Sequence, residues 1–243
     1  MKNIKNIGLL IIGVGCLAGM VLIGADVPSE KKAGGLKECI EKYYDSISGF
    51  GIASDEEREI VDKGGFPTYG EITFESIDSL LHSFEITQKD VFVDLGCGVG
   101  KAVVYAFLNT PVKKAIGVEL SKTRCENAQS VAEKIKKTHA IKRGRDLKFC
   151  HQSMLDADLS DATIIYTCST CFSDKLMSDL TQKLSRCKQG LKVFTLKRLP
   201  DSPDFKYVKA FHLPMTWTSG TDVHFYVLDK ENGAKARKTR QPR

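Results

Sequence analysis

The chain has 243 residues, 42% of them hydrophobic and 27% charged, a balance that suits one α/β domain with short extensions and excludes a disordered or fibrous chain. Its net charge of +6 does not describe the folded body, because Lys235, Arg237, Lys238, Arg240 and Arg243 all lie in the last nine residues and leave about +1 for the rest. The eight cysteines are scattered and several fall in apolar strand-like runs, so they read as reduced thiols; Cys168-x-x-Cys171 lacks the second pair that a zinc site needs.

Residues 7–25 form an uncharged apolar run, long enough as a helix to match a bilayer's hydrocarbon core. Two expectations stand: a membrane anchor, or a signal peptide cleaved near Ala25. Residues 1–30 are thus set apart from a helical extension over 31–65, a catalytic domain over 66–230 and a basic tail over 231–243. That tail is either a solvated end or a contact for nucleic acid or acidic protein.

The apolar spacing predicts a helix over 38–50 and a loop at Gly64–Pro67. A second helix over 73–84 is capped by Thr73. Strands then alternate with helices. Strands are read at 91–95, 115–120, 147–151, 163–167 and 191–196. Helices are read at 99–108, 121–137 and 174–186. Such alternation implies right-handed crossovers and a parallel sheet. The runs 207–217 and 223–228, split by the polar stretch 219–222, predict a closing antiparallel hairpin. The fold class is therefore α/β, Rossmann-like, with a terminal hairpin.

The first strand leads into Asp94-Leu-Gly96-Cys-Gly98-Val-Gly100. Glycines there let the backbone turn tightly and approach a ligand. The dinucleotide fingerprint needs glycine where Lys101 stands. A phosphate loop ending at Gly100-Lys101 needs glycine at Leu95 and a hydroxyl at Ala102. What remains is an acidic residue followed by three alternating glycines, which resembles motif I of methyltransferases. Glu119 ends the second strand, where a carboxylate can accept hydrogen bonds from two ribose hydroxyls.

The order Tyr69-Gly-Glu71, Thr73, the glycine loop, Gly117-Val-Glu119 and Thr216-Trp217-Thr218 resembles the non-SET histone lysine methyltransferases, the disruptor of telomeric silencing family. The resemblance covers about residues 66–229. It implies a class I methyltransferase sheet and S-adenosyl-L-methionine as cofactor. It also implies that Tyr69 and Thr73 contact the amino-acid end of that cofactor, that Glu71 orders the loop, and that Asp94, Gly96, Gly98, Gly100 and Glu119 belong to the cofactor site beneath. Two stretches depart from the family. Ser153-Met154 stands where the family has Asp-Phe against adenine, with Asp156 as the alternative acid. Cys168-Ser169-Thr170 replaces an Asn-Asn-Phe segment at the reaction site.

The implied reaction is in-line methyl transfer to a lysine of a protein, possibly histone-like. The lysine must first lose its proton, and an apolar channel favours the neutral amine. Cys168, Ser169, Trp217 and Tyr226 are the expected channel residues, with Phe172 and Phe225 beside them. Methylation of a small molecule or of another protein side chain, and non-catalytic cofactor binding, are the competing expectations.

Overall fold

In the computed structural model, residues 30–139, 141, 143–231 and 233–234 are described. Seven strands form one sheet: β1 (Val91–Leu95), β2 (Lys114–Glu119), β3 (Asp146–His151), β4 (Ile164–Thr167), β5 (Lys192–Thr195), β6 (Phe205–Met215) and β7 (Thr218–Leu228). Their order is β3-β2-β1-β4-β5-β7-β6. Strands β1 to β5 pair parallel, β7 runs antiparallel to β5, and β6 antiparallel to β7. The chain starts at β1, winds outward to β3, then returns to lay β4 on the other side of β1. That reversal opens a crevice at the carboxyl ends of β1, β2 and β4, where open α/β sheets take their ligands.

Helices cover both faces. They are α1 (Glu30–Tyr43), α2 (Ser54–Asp62), α3 (Phe74–Leu81), α4 (Lys101–Asn109), α5 (Lys122–Thr138) and α6 (Asp174–Leu184). Side chains alternate across each strand, so Phe92 and Phe194 join Val103, Phe107 and Ile135 in one core, while Val93 and Val193 join Met177, Leu180 and Leu184 in the other. With both faces covered, β1 is buried along its whole length. Ile40 of α1 and the following Tyr44 are buried in the first of these cores, so the stretch before residue 66 packs onto the catalytic fold.

Helix starts follow the capping chemistry. The hydroxyls of Thr73, Ser121 and Ser173 accept hydrogen bonds from the backbone N–H of Ser76, Arg124 and Leu176, opening α3, α5 and α6. Helix α4 has no such cap. It starts at Lys101, two residues later than its apolar spacing suggests, because Gly100 sits at φ 87° ahead of it. A Cβ on Gly100 would lie 2.5 Å from the Phe149 ring, so glycine is also the residue that fits sterically.

Three elements differ from expectation. Helix α2 has a single buried apolar residue, Ile60, and no side-chain cap, so its sequence carries no periodic signal. Helix α1 ends at Tyr43, short of the glycines at 49 and 51. The hairpin turns at Thr216 and Trp217, not over 219–222, and the polar run Thr218–Asp222 belongs to β7. That end of the hairpin is largely solvent-exposed, so its polar residues mimic a turn.

The expected N-terminal hydrophobic helix is not supported. Residues 7–25 lie outside the described residues, and no helix among the described residues is long and apolar enough to cross a membrane. The basic residues from Lys235 onward also lie outside them.

Candidate active site

A cavity of about 410 Å³ opens at the carboxyl ends of the central strands. Its floor is the glycine loop after β1. The N–H groups of Gly96 and Cys97 both donate to Val118 O, at 2.8 and 3.1 Å, which ties the loop to the end of β2. Glu119, 6% exposed, then clamps that junction. Its Oε2 accepts from Gly98 N and its Oε1 from Ser121 N, each at 2.8 Å. Each carboxylate oxygen keeps further acceptor capacity, and Glu119 lines the cavity.

The Tyr69-Gly70-Glu71 segment forms the wall above this floor. It is held by the hairpin tip: Thr216 N donates to Glu71 O, and Glu71 N donates to Thr216 Oγ1, both at 2.9 Å. Gly70 lies directly under the Trp217 ring, where a Cβ would come within 2.4 Å of the indole. The two most distinctive sequence marks, distant along the chain, are thus one hydrogen-bonded unit. Tyr69 lies over Gly98, whose φ of 56° and lack of a Cβ allow the approach. The Tyr69 hydroxyl donates to Glu71 Oε1 at 2.6 Å, and Glu71 Oε2 accepts from Lys101 Nζ at 2.8 Å. Burial, then the Glu71 carboxylate, hold the Tyr69 phenol far above its usual range, so it remains a donor.

Two side chains from outside the motif lock the arrangement. Arg124, in the first turn of α5, donates to Gly49 O and Pro67 O, both at 2.8 Å, and stacks 4.9 Å from the Tyr69 ring. Glu56 of α2 caps α5, accepting from the Ser121 hydroxyl and, at 2.7 Å, from the Thr123 hydroxyl. Neither residue carries a motif-like signal in the sequence. Arg124 stands in a polar first turn beside Lys122 and Thr123, where a charge gives no sign of burial.

The cavity gathers most of the expected site residues. Tyr69, Glu71, Asp94, Gly96, Gly98 and Glu119 line it. So do Ser153, Met154, Cys168 and Trp217. The others lie outside the lining. Thr73 caps α3, and Gly100 opens α4. Ser169 is buried beneath the site, with Thr195 Oγ1 at 2.7 Å and Lys197 N donating to its hydroxyl at 2.8 Å. Tyr226 faces the second core and packs edge-on against Tyr207, whereas Phe225 stacks 4.5 Å from Phe194 on the opposite face. Neighbours on one strand point to opposite faces, so these two aromatics cannot share one channel. Phe172 does line the cavity, close to Gly96, as does Thr170 of the stretch matched to the reaction site, and Tyr166 joins them unforeseen.

The chemistry divides along the sheet. Gln152, Ser153 and Met154 follow β3, Glu119 ends β2, Asp94 belongs to β1, and Cys168 follows β4. The far end is lined by the uncharged side chains of Cys168, Thr170, Phe172 and Trp217, with the Asp94 and Glu71 carboxylates near enough to act on Cys168. Burial, then the Asp94 carboxylate, push the Cys168 thiol up to about 12, so it is a neutral wall and not a thiolate nucleophile. Among the described residues no group of three or more His, Cys, Asp or Glu could hold a metal ion, and all seven described cysteines are free.

Residues 62–210 match the family described as "Histone methylation protein DOT1". The chain belongs to this family. It is 31% identical over 140 residues to a Caenorhabditis elegans protein named "Histone-lysine N-methyltransferase, H3 lysine-79 specific", covering 54% of this chain and 15% of that one. It is also 31% identical over 88 residues to a "Protein-lysine N-methyltransferase" of Saccharolobus islandicus, covering 35% of this chain and 50% of that one. The chain therefore spans half or less of the length of these relatives. Among solved structures, an RNA methyltransferase from Salinibacter ruber in complex with S-adenosyl-L-homocysteine is similar, with 19% identity and a TM-score of 0.47 over 63% of this chain and 90% of that one. The expected location, membrane-anchored or exported, is contradicted: no helix among the described residues is long and apolar enough to cross a membrane, and relatives that the chain matches are named for a histone.

Proposed function

We propose that this DOT1-family chain is an S-adenosyl-L-methionine-dependent methyltransferase that acts on the ε-amine of a lysine in a protein, a histone or a histone-like basic protein. The observation that carries the reading is the single cavity running from Ser153 and Met154, past the buried Glu119 carboxylate, to a far end lined by Cys168, Phe172 and Trp217. That shape fits an adenosyl ligand at one end and an alkylamine at the other. The donor set fits as well: Glu119 has acceptor capacity for vicinal hydroxyls, Asp94 Oδ1 is buried without a partner, and the glycine loop leaves room for close approach.

When bound, the cofactor supplies a methyl group already activated on a sulfonium. The protein's share is binding, orientation and desolvation. Glu119 would accept from the ribose hydroxyls, with Met154 beside the adenine ring, where the family has Phe. Tyr69, held by Glu71 and Arg124, would close the wall over the ligand. At the far end, the apolar faces of Phe172 and Trp217 would desolvate an incoming lysine, disfavouring its ammonium form and favouring the neutral nucleophile. The neutral Cys168 thiol adds no competing charge.

The experiment is incubation of the purified protein with S-adenosyl-L-methionine and core histones, followed by tandem mass spectrometry. Addition of methyl groups mapped to lysine supports the reading. Methylation of arginine or of nucleotides, or no transfer to any protein offered, counts against it.

A further inference from the structure

The far end of the cavity carries two thiols, and methyl transfer needs neither as a nucleophile. Cys168 and Cys171 both line it, and both are partly exposed. Ser169–Cys171 is a 3-10 turn with Cys168 as its N-cap. On such a turn residues three apart have Cα atoms about 6 Å apart, inside the roughly 4.4–6.8 Å that disulfides span. Cys171 is near enough to act on the Cys168 thiol. The turn is also pinned in place. Phe66 N donates to Cys171 O at 2.9 Å, Phe172 N to Ser169 O at 3.0 Å, and Lys197 N to the Ser169 hydroxyl at 2.8 Å. Cys97, Cys125 and Cys187 are buried, Cys39 lies on α1 and Cys150 on β3. Among the described cysteines, Cys168 and Cys171 are therefore the one pair that shares a turn.

We propose that Cys168 and Cys171 form a site of oxidative modification, where a peroxide joins them in a disulfide that reshapes the methyl-acceptor end of the cavity and stops transfer to lysine. The consequence for transfer rests on the lysine methyltransferase reading. The Cys171 sulfur attacks hydrogen peroxide, the O–O bond breaks, and Cys171 becomes a sulfenic acid with release of water. The Cys168 sulfur then attacks the Cys171 sulfur. The S–S bond forms, the S–O bond breaks, and the hydroxyl leaves with the Cys168 proton as a second water. Two thiols are oxidised and one peroxide is reduced. The order follows from the site: the Cys168 thiol, held up to about 12 by burial and then by Asp94, presents almost no thiolate for the first step. A dithiol reductant reverses the bond by exchange, which makes the modification a switch. Because the backbone of the turn is held, the bond closes by swinging the two side chains. That changes the wall an incoming lysine meets beside Phe172 and Trp217, whereas Glu119 on β2 and Met154 after β3 keep their places.

Treating the purified protein with hydrogen peroxide tests this, read by mass spectrometry, by methyl transfer to core histones and by calorimetry with S-adenosyl-L-homocysteine. Intact mass should fall by two hydrogen atoms, with the bond mapped to Cys168 and Cys171. Most of the transfer should be lost and dithiothreitol should restore it, while S-adenosyl-L-homocysteine affinity is unchanged. Cys171→Ser should keep its own untreated rate through the same treatment. The proposal is overturned by the absence of this bond, by a bond that leaves transfer intact, by an equal loss of transfer in Cys171→Ser, or by a loss of affinity that matches the loss of transfer. Untreated protein that methylates no protein offered overturns the lysine reading, and the effect on transfer with it; the mass measurement then decides alone whether the site is oxidised.

Discussion

Replacing Glu119 by Gln separates the two tasks of this side chain. The carboxylate accepts from Gly98 N and Ser121 N at 2.8 Å while only 6% exposed, and it faces the cavity. Gln keeps one acceptor oxygen and turns an NH2 group toward the other backbone N–H. One buried donor is then unpaired, a cost of about 1–3 kcal/mol in stability. The cofactor would also lose a charged acceptor at its ribose, about 1.5–3 kcal/mol, or roughly ten- to more than a hundredfold in affinity. Chemical denaturation reads the first effect and calorimetric titration of S-adenosyl-L-homocysteine reads the second. A variant that is destabilised but binds as tightly as wild type would mean that Glu119 only pins the glycine loop. A variant unchanged in both would remove the argument for its double role.

Three further outcomes follow from the geometry. Gly98→Ala would place a Cβ 2.6 Å from the Tyr69 ring at a φ of 56°; about 1–3 kcal/mol of stability and most cofactor affinity should be lost, and retention of both in denaturation and titration would refute the packing argument. Trp217, 46% exposed, lies over Gly70 at the cavity. Trp217→Ala should lower turnover on protein substrate with little change in S-adenosyl-L-homocysteine affinity, and kinetics showing the reverse would move it from the substrate end. Glu56 is held below the usual carboxylate range: burial works against this, but hydrogen bonds from Ser121 and Thr123 outweigh it. A depressed folded pKa gives stability that is present above the unfolded value and lost as pH falls through the folded one. The wild type should therefore lose more stability than Glu56→Gln as pH drops below about 4.5, and parallel urea midpoints for the two proteins would exclude the contribution of Glu56.

The parts of this fold that were legible in the sequence are those where local pattern and tertiary burial agree. Strand β1 reads as a continuous apolar run because helices cover both its faces, and the glycine loop after it is constrained by its close approach to Tyr69 and Phe149. Glu119 was legible as a strand-end acid, but its grip on Gly98 and Ser121 was not, because only the fold brings those N–H groups to it. Helix α2 was missed because its contribution is made by one apolar side chain and by Glu56 reaching α5, sixty-five residues away. Tyr226 looked like a channel aromatic by composition. Strand parity sends it to the opposite core, which depends on the register of β7 against β5. Tyr166 lay unremarked inside an apolar strand, since a buried phenol gives no sign in sequence of whether its hydroxyl is satisfied.

The most direct test of the central claim is transfer of a labelled methyl group from S-adenosyl-L-methionine into cell-lysate protein, followed by complete hydrolysis and amino-acid analysis. The account predicts label recovered as methyllysine with wild-type protein, and strongly reduced label with Glu119→Gln. Label found only in small molecules, or in methylated residues other than lysine, would contradict it.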